Sequence, residues 1–145
     1  TTATHYSPAN PAAADPLDRP SSRPDFQILI YPVVTMGEGT HGGSRRNLLG
    51  ESPTPEDIKK FSNETQVTKD TPPAYLAHAV DDKVVPIKHS TDYHSAMKSA
   101  GAPSLLLELP SGGHGLNGYK GPNWDAWQSG ALAWLKERGL LNPAK

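Results

Sequence analysis

The sequence contains no cysteine, only two methionines and no long apolar run. Without cysteine the chain can form neither disulfides nor a Cys-ligated zinc site. A membrane-spanning helix needs roughly 18 consecutive apolar residues. No stretch approaches that length, so we expect no membrane partner. The chain opens on Thr1 with neither an initiator methionine nor a signal peptide, and we expect it to be processed or cut from a longer protein.

Segments of strong charge are also missing. Fourteen Lys and Arg residues balance fifteen Asp and Glu residues, which leaves a net charge of -1. Basic residues never run beyond pairs such as Arg45-Arg46, so nucleic acid is not an expected partner. The 13 glycines and 15 prolines among 145 residues follow no period. This composition is typical of a loop-rich globular domain of ordinary size.

Three short apolar runs predict buried strands, and they lie at 26–31, 74–80 and 104–109. Helical patterns alternate with them. The first spans 54–61, the second carries its apolar face through residues 93–100, and the third spans 124–138. Such alternation predicts an α/β fold with parallel strands and helices on both faces of the sheet.

Two other segments have little periodicity. Residues 1–24 are rich in proline and predict a connecting loop. Residues 33–53 contain five glycines and predict an irregular excursion between the first strand and the first helix. We therefore expect one domain over 25–145, preceded by the loop.

Polar residues with catalytic potential follow two of the predicted strands. Asp81 and Asp82 end the second strand, and His114 follows the third between glycines. In a parallel sheet the active groups lie at the carboxyl ends of the strands. A histidine can take a proton from a nucleophile and return it to a leaving group, and a carboxylate behind the ring fixes its tautomer. The order of acid and then histidine, about 32 residues apart, is that of α/β-hydrolases.

The surrounding residues carry a family resemblance. The segment 78–86, His-Ala-Val-Asp-Asp-Lys-Val-Val-Pro, resembles the acid motif of dienelactone-hydrolase-like and prolyl-oligopeptidase-like α/β-hydrolases. Alignment on Val85-Pro86 implies that Asp82 is the triad acid, rather than Asp81. The segment 111–115, Ser-Gly-Gly-His-Gly, resembles the histidine loop of these enzymes, which implies His114 as the catalytic base.

Three further segments resemble the bacterial acetylxylan esterase group, and they lie at 31–36, 43–50 and 61–68. The resemblance implies a serine-type carboxylic ester hydrolase that deacetylates a polysaccharide such as xylan, without metal or other cofactor. Because such polysaccharides lie outside cells, it also implies a secreted or periplasmic protein. Two alternatives stay open: a prolyl-oligopeptidase-like serine peptidase domain, and a non-catalytic module that keeps the hydrolase fold.

The nucleophile of this family is not in the sequence. No Gly-x-Ser-x-Gly elbow occurs anywhere in it, and the resemblance places both the serine and the oxyanion hole before residue 1. The chain is therefore expected to be the C-terminal half of an α/β-hydrolase. Its expected partner is the N-terminal half that carries the serine, with an acylated carbohydrate or small ester as substrate.

Several other polar and aromatic residues have a simpler interpretation. His78 lies in an apolar strand, so we predict that it is a hydrogen-bonded histidine of the core. His89 and His94 are five residues apart, a spacing that does not favour a metal site. The three tryptophans predict a packed helix face rather than a sugar platform. Arg45, Arg46 and Asn47 could contact a sugar, but anchoring the excursion by salt bridges is favoured.

Overall fold

The computed structural model describes residues 1–141. Its centre is a parallel sheet of three strands in the order β1 (Gln27–Ile30), β2 (Ala74–Ala79) and β3 (Ser104–Leu109). The register sets Leu76 of β2 between Leu29 of β1 and Leu106 of β3. All three predicted strands are confirmed to within a residue or two at their ends. The predicted domain extends to 145, and its last four residues lie outside the described part.

Five helical segments accompany the sheet: α1 (Gly42–Leu49), α2 (Pro55–Phe61), α3 (Lys88–Ser99), α4 (Leu116–Tyr119) and α5 (Pro122–Glu137). The predicted capping of α2 is confirmed, because Thr54 Oγ1 accepts from the Asp57 backbone at 3.1 Å. The end of α3 is also as predicted. Gly101 there adopts φ +73°, and Ala102 N–H donates to Met97 O at 2.9 Å.

Two helical segments, α1 and the short α4, were not predicted from the sequence. The excursion over 33–53 contains α1, whose first two residues are glycines. Glycine is a poor helix former, so the composition favoured a loop. The helix begins because the His41 side chain accepts a hydrogen bond from Ser44 N at 3.2 Å. The segment 1–24 has one short 3-10 turn, Pro16–Asp18, and is otherwise irregular.

The central strand β2 is buried over its whole length, and its alternate residues face two cores. One core packs Tyr75, Ala77 and Ala79 against α5. The other packs Ala74 and Leu76 against α3. The predicted arrangement of helices on both faces of a parallel sheet is therefore confirmed. Among residues 1–141, none of the helices combines the length and the apolar character that crossing a bilayer demands.

Strand β1 lies at one edge of this sheet, next to β2 only. The sequence predicts an interior strand of a larger sheet, buried on both faces. Within residues 1–141, Ile28 and Ile30 are half-buried and Phe26 is 37% exposed. The backbone of β1 that faces away from β2 has no strand partner in this part of the chain.

The contact between α5 and β2 is tight at Gly130. A Cβ atom built at Gly130 overlaps the hydroxyl of Tyr75. That hydroxyl is buried and has no hydrogen-bond partner among the described residues. A glycine in the middle of a helix costs about 0.5–1 kcal/mol relative to alanine, so the close approach of Tyr75 accounts for its presence.

We expect Gly130→Ala to lower the melting temperature of the full-length protein. Overpacking costs about 1–3 kcal/mol, which outweighs the better helix propensity of alanine. Calorimetry should show that Tyr75→Phe rescues part of the loss, because it removes the overlapping hydroxyl. Ser129→Ala, on the exposed face of α5, is the matched control and should not destabilise. An unchanged or higher melting temperature for Gly130→Ala would contradict this packing.

Candidate active site

The structure brings together the two residues singled out in the sequence. His114 Nδ1 lies 2.9 Å from Asp82 Oδ2. A carboxylate only accepts hydrogen bonds, so Nδ1 carries the proton. Asp82 follows β2 and His114 follows β3, so both lie at the carboxyl edge of the sheet. The pairing is with Asp82 and not with Asp81, as the alignment of the acid motif predicts.

The Asp82 side chain is fully buried and is held by its own loop. Val84 N–H and Val85 N–H both donate to Oδ1, each at 2.9 Å. Burial alone would raise the pKa of Asp82. The hydrogen bonds from Val85, His114 and Val84 outweigh it, so the pKa of Asp82 lies below its ordinary value. The carboxylate is therefore ionised and can stabilise a charged imidazole.

The second carboxylate, Asp81, holds the histidine loop instead. Gly113 N–H donates to Asp81 Oδ1 at 2.9 Å, and Gly112 N–H lies 3.3 Å from Oδ2. Both glycines have positive φ, +126° at Gly112 and +56° at Gly113. This conformation suits residues without a Cβ, and it turns two successive N–H groups toward one anion.

The chain after His114 makes a left-handed turn. Positive φ occurs at every position from Gly115 to Tyr119. For residues other than glycine this conformation costs roughly 1–2 kcal/mol each. Leu116 anchors the turn because its side chain is fully buried, and Tyr119 N–H donates to Gly115 O at 2.9 Å. Backbone strain of this kind concentrates at functional sites.

Tyr31 is a member of the site that the sequence analysis did not single out. Its ring meets the His114 ring edge to face, with centroids 4.6 Å apart. It directly follows β1 and has φ +40°, a strained conformation for a residue with a Cβ. Burial raises its pKa, and nearby Tyr119 and Asp82 act in the same direction. A signal was present in the sequence, because Tyr31 lies before a proline at the carboxyl end of a predicted strand.

His78 is a buried core histidine, as predicted, but it also touches the site. Its Nε2 lies 3.3 Å from Asp82 Oδ2 and 2.8 Å from Val85 O. Burial lowers its pKa, although the contacts with Val85 and Asp82 oppose the shift. The neutral ring therefore makes a hydrogen bond to Asp82 rather than an ion pair. The link was invisible in the sequence, because it forms only when the loop after β2 folds back.

The other polar candidates remain apart from this pair. His89 Nδ1 accepts from Val34 N–H at 3.0 Å, and His94 bonds Ser104 at 2.8 Å. No group of three His, Cys, Asp or Glu side chains within 1–141 is arranged to hold a metal ion. Arg46 lies 3.7 Å from Glu51 in an exposed contact, a weak form of the predicted anchoring.

The tryptophans pack against neighbouring aromatic rings, as the sequence predicts. Trp124 contacts Trp127 with centroids 5.2 Å apart, and Trp134 contacts Tyr75 at 6.0 Å. Trp134 is buried in the core beside β2. The predicted packed helix face is thus observed, with the rings edge to face or tilted.

Comparison with known families decides the affiliation of this chain. The sequence model of the prolyl oligopeptidase family matches residues 40–139. The chain belongs to the prolyl oligopeptidase family. The predicted resemblance to prolyl-oligopeptidase-like α/β-hydrolases is thereby confirmed. The match includes the loops that carry Asp82 and His114.

Two curated proteins are similar to this chain. An acetylxylan esterase from Xylanibacter ruminicola is 41% identical over 98 residues, which cover 64% of this chain and 20% of that protein. Endo-1,4-beta-xylanase B from Butyrivibrio fibrisolvens is 39% identical over 110 residues, which cover 76% of this chain and 17% of that protein. The chain therefore spans a fifth or less of these relatives.

Solved structures confirm the α/β-hydrolase fold. An acetyl ester-xyloside bifunctional hydrolase from Caldicellulosiruptor lactoaceticus superposes with a TM-score of 0.92 at 34% identity. The match covers 97% of this chain and 52% of that one. A carboxylesterase from Lactobacillus plantarum superposes with a TM-score of 0.68 at 27% identity, over 83% of this chain and 46% of that one. This member of the prolyl oligopeptidase family thus spans about half of each hydrolase.

The pKa shifts predict how stability depends on pH. Burial lowers the pKa of His78, His89 and His94. The unfolded chain takes up protons near pH 6.5, which the folded protein binds only at lower pH. The free energy of unfolding should therefore be highest above pH 6.5 and fall as pH drops below it. Below about pH 4 the free energy of unfolding should fall further. The reason is that folding also lowers the pKa of Asp82, so the unfolded chain binds its proton first.

His89→Asn tests this dependence. Asparagine keeps an acceptor for Val34 N–H but does not titrate. Each excess proton taken up by the unfolded chain changes stability by about 1.4 kcal/mol per pH unit. Urea unfolding of the full-length protein between pH 7.5 and 5.5 should show a shallower slope for the variant. An identical slope would mean that His89 does not contribute.

Proposed function

We propose that this chain is the part of a serine-type carboxylic ester hydrolase that supplies the triad acid and histidine. The observation that carries the proposal is the 2.9 Å hydrogen bond between His114 Nδ1 and the buried carboxylate of Asp82. It leaves Nε2 as the proton-accepting atom. The His114 side chain is 35% exposed, so a nucleophile can reach it.

The proposed reaction has two halves. His114 Nε2 takes the serine hydroxyl proton as the serine oxygen attacks the ester carbonyl. Collapse of the tetrahedral intermediate breaks the bond to the alcohol, which leaves with that proton. Water then attacks the acyl-enzyme and gives a proton to Nε2, and the proton returns to the serine as the acid departs. Asp82 keeps Nδ1 protonated and stabilises the imidazolium in both halves.

We propose that the serine and the oxyanion hole belong to a segment of the protein outside this sequence. No Gly-x-Ser-x-Gly elbow is present in the 145 residues. Two structural features support such a segment. The free side of β1 can pair with one more parallel strand, and the half-buried residues of β1 would be covered by it. The match to a hydrolase about twice as long is consistent with this arrangement.

The proposed substrate is an acetyl or other small acyl ester of a plant polysaccharide such as xylan. The support comes from relatives that are an acetylxylan esterase and an acetyl ester-xyloside hydrolase. Because such polysaccharides lie outside cells, we also propose a secreted or periplasmic location. A second candidate is a serine peptidase acting beside proline, because the family is that of prolyl oligopeptidase. The acid and histidine serve either reaction.

We expect His114→Ala in the full-length protein to abolish hydrolysis of p-nitrophenyl acetate, because His114 is the base that takes the serine proton in the proposed reaction. Asp82→Asn should lower kcat by up to about 10⁴-fold. His94→Ala is the control, since His94 bonds Ser104 at the opposite end of β3. Circular dichroism confirms that each variant is folded. Full activity of His114→Ala would end the esterase proposal.

A parallel assay separates the two candidate substrates. Acetate release from acetylated xylan and cleavage of a prolyl anilide are measured with the same preparation. We expect acetate release only. Cleavage of the anilide without acetate release would favour the peptidase.

The proposed missing strand gives a further prediction. Residues 1–145 expressed alone should be insoluble or molten and inactive on esters, because the edge of β1 is apolar and unpaired in the described chain. Co-expression with the serine-bearing segment should restore solubility and activity. A soluble monomer that unfolds cooperatively on its own would refute the need for this partner.

A further inference from the structure

His78 is fully buried in β2, and both nitrogens of its ring are hydrogen-bonded. Nδ1 lies 2.7 Å from Ser90 Oγ at the start of α3. Nε2 lies 2.8 Å from Val85 O and 3.3 Å from Asp82 Oδ2. Both contacts of Nε2 are thus with the loop that presents the acid.

The direction of these bonds follows from their chemistry. A carbonyl oxygen only accepts, so the bond to Val85 O places the proton on Nε2. Burial lowers the pKa of His78, and the ring is neutral with Nδ1 as an acceptor. Ser90 therefore donates to His78, and His78 donates to the acid loop. The single Nε2–H of His78 is shared between Val85 O at 2.8 Å and Asp82 Oδ2 at 3.3 Å, and Oδ2 also accepts from His114.

We propose that His78 is a positioning residue that fixes the carboxylate of Asp82 so that Oδ2 meets Nδ1 of His114. This inference rests on the function proposed above. A core histidine without this role would affect only the stability of the fold, whereas His78 affects the reaction through Asp82.

The geometry explains why Oδ2 of Asp82 needs a donor in addition to His114. The two bonds from Val84 and Val85 hold only Oδ1. Without His78, the carboxylate can rotate about its Cβ–Cγ bond, and Val85 O loses its side-chain donor. Oδ2 then drifts from the line of the His114 N–H. A misplacement of about 1 Å near the reacting groups can cost about 100-fold in rate.

His89 offers a matched comparison within the same chain. It is also a buried histidine, 2% exposed, and it lies one residue before Ser90. Its Nδ1 accepts from Val34 N–H and Thr35 N–H. No hydrogen bond joins it to Asp82 or His114 within 1–141. Its loss therefore measures what a buried histidine contributes to the fold alone.

Two substitutions at His78 separate the bonds that it makes. His78→Gln can still place an N–H near Val85 O and Asp82. His78→Asn is too short to reach them but keeps a polar group near Ser90. In the full-length protein with p-nitrophenyl acetate, we expect His78→Asn to lower kcat up to about 100-fold per folded molecule. KM should change little, His78→Gln should recover part of the loss, and His89→Asn should keep the wild-type kcat.

A double-mutant cycle tests whether the effect passes through Asp82. In an Asp82→Asn background, adding His78→Asn should change kcat by no more than about twofold, the usual error of such cycles. A full, additive loss in that background would overturn the proposal. If His78→Asn does not fold, Ser90→Ala replaces it. We then expect a smaller loss that also vanishes in the Asp82→Asn background, and no loss would overturn the proposal.

A spectroscopic readout keeps this inference separate from the proposed activity. The His114 Nδ1 proton bonded to Asp82 should give a far-downfield proton resonance. We expect it in the wild type and in His89→Asn, but not in Asp82→Asn. His78→Asn should shift it upfield or broaden it. A wild type that shows the resonance but hydrolyses no ester would refute the proposed function alone. An unchanged resonance in His78→Asn would refute the role of His78.

Discussion

A carboxylate without access to water must be surrounded by hydrogen-bond donors, and Asp82 imposes this requirement on three parts of the chain. Its own loop supplies two backbone N–H groups, β2 supplies His78, and the loop after β3 supplies His114. Each donor fixes the element from which it comes. The carboxyl edge of the sheet is thus held together around one charge, and an ionised Asp82 is the state that all four donors favour.

The sequence predicts the parts of this arrangement that depend on local pattern. Apolar runs bounded by proline on at least one side predicted the strands, and Thr54 and Gly101 marked helix ends by their capping chemistry. Asp82 and His114 could be predicted because parallel strands bring their carboxyl ends to one edge of the sheet. Contacts between distant segments could not be predicted from the sequence. They include the hydrogen bond from His78 to Asp82 and the packing of the Tyr31 ring against His114. Helix α1 was missed because a side chain of the preceding loop begins it.

The acid and histidine alone do not select a substrate. Attack on an ester and attack on a peptide bond need the same proton transfers, and they differ in the leaving group and in the pocket that holds it. The walls of such a pocket come from loops of the whole hydrolase. This chain matches only about half of one solved hydrolase. An esterase and a peptidase with this acid and histidine would therefore differ in their pocket walls rather than in these two residues.

The left-handed turn after His114 sets two effects of glycine against each other. Asn117 and Tyr119 hold φ of +64° and +66°, where glycine would be relaxed. A glycine at either position would remove a backbone strain of roughly 1–2 kcal/mol from the folded turn. The same substitutions give the unfolded chain and the folded loop more freedom, and the imidazole would lose a stiff support. At these two positions, relief of strain in the folded turn and stiffness of the loop that carries the imidazole therefore call for opposite residues.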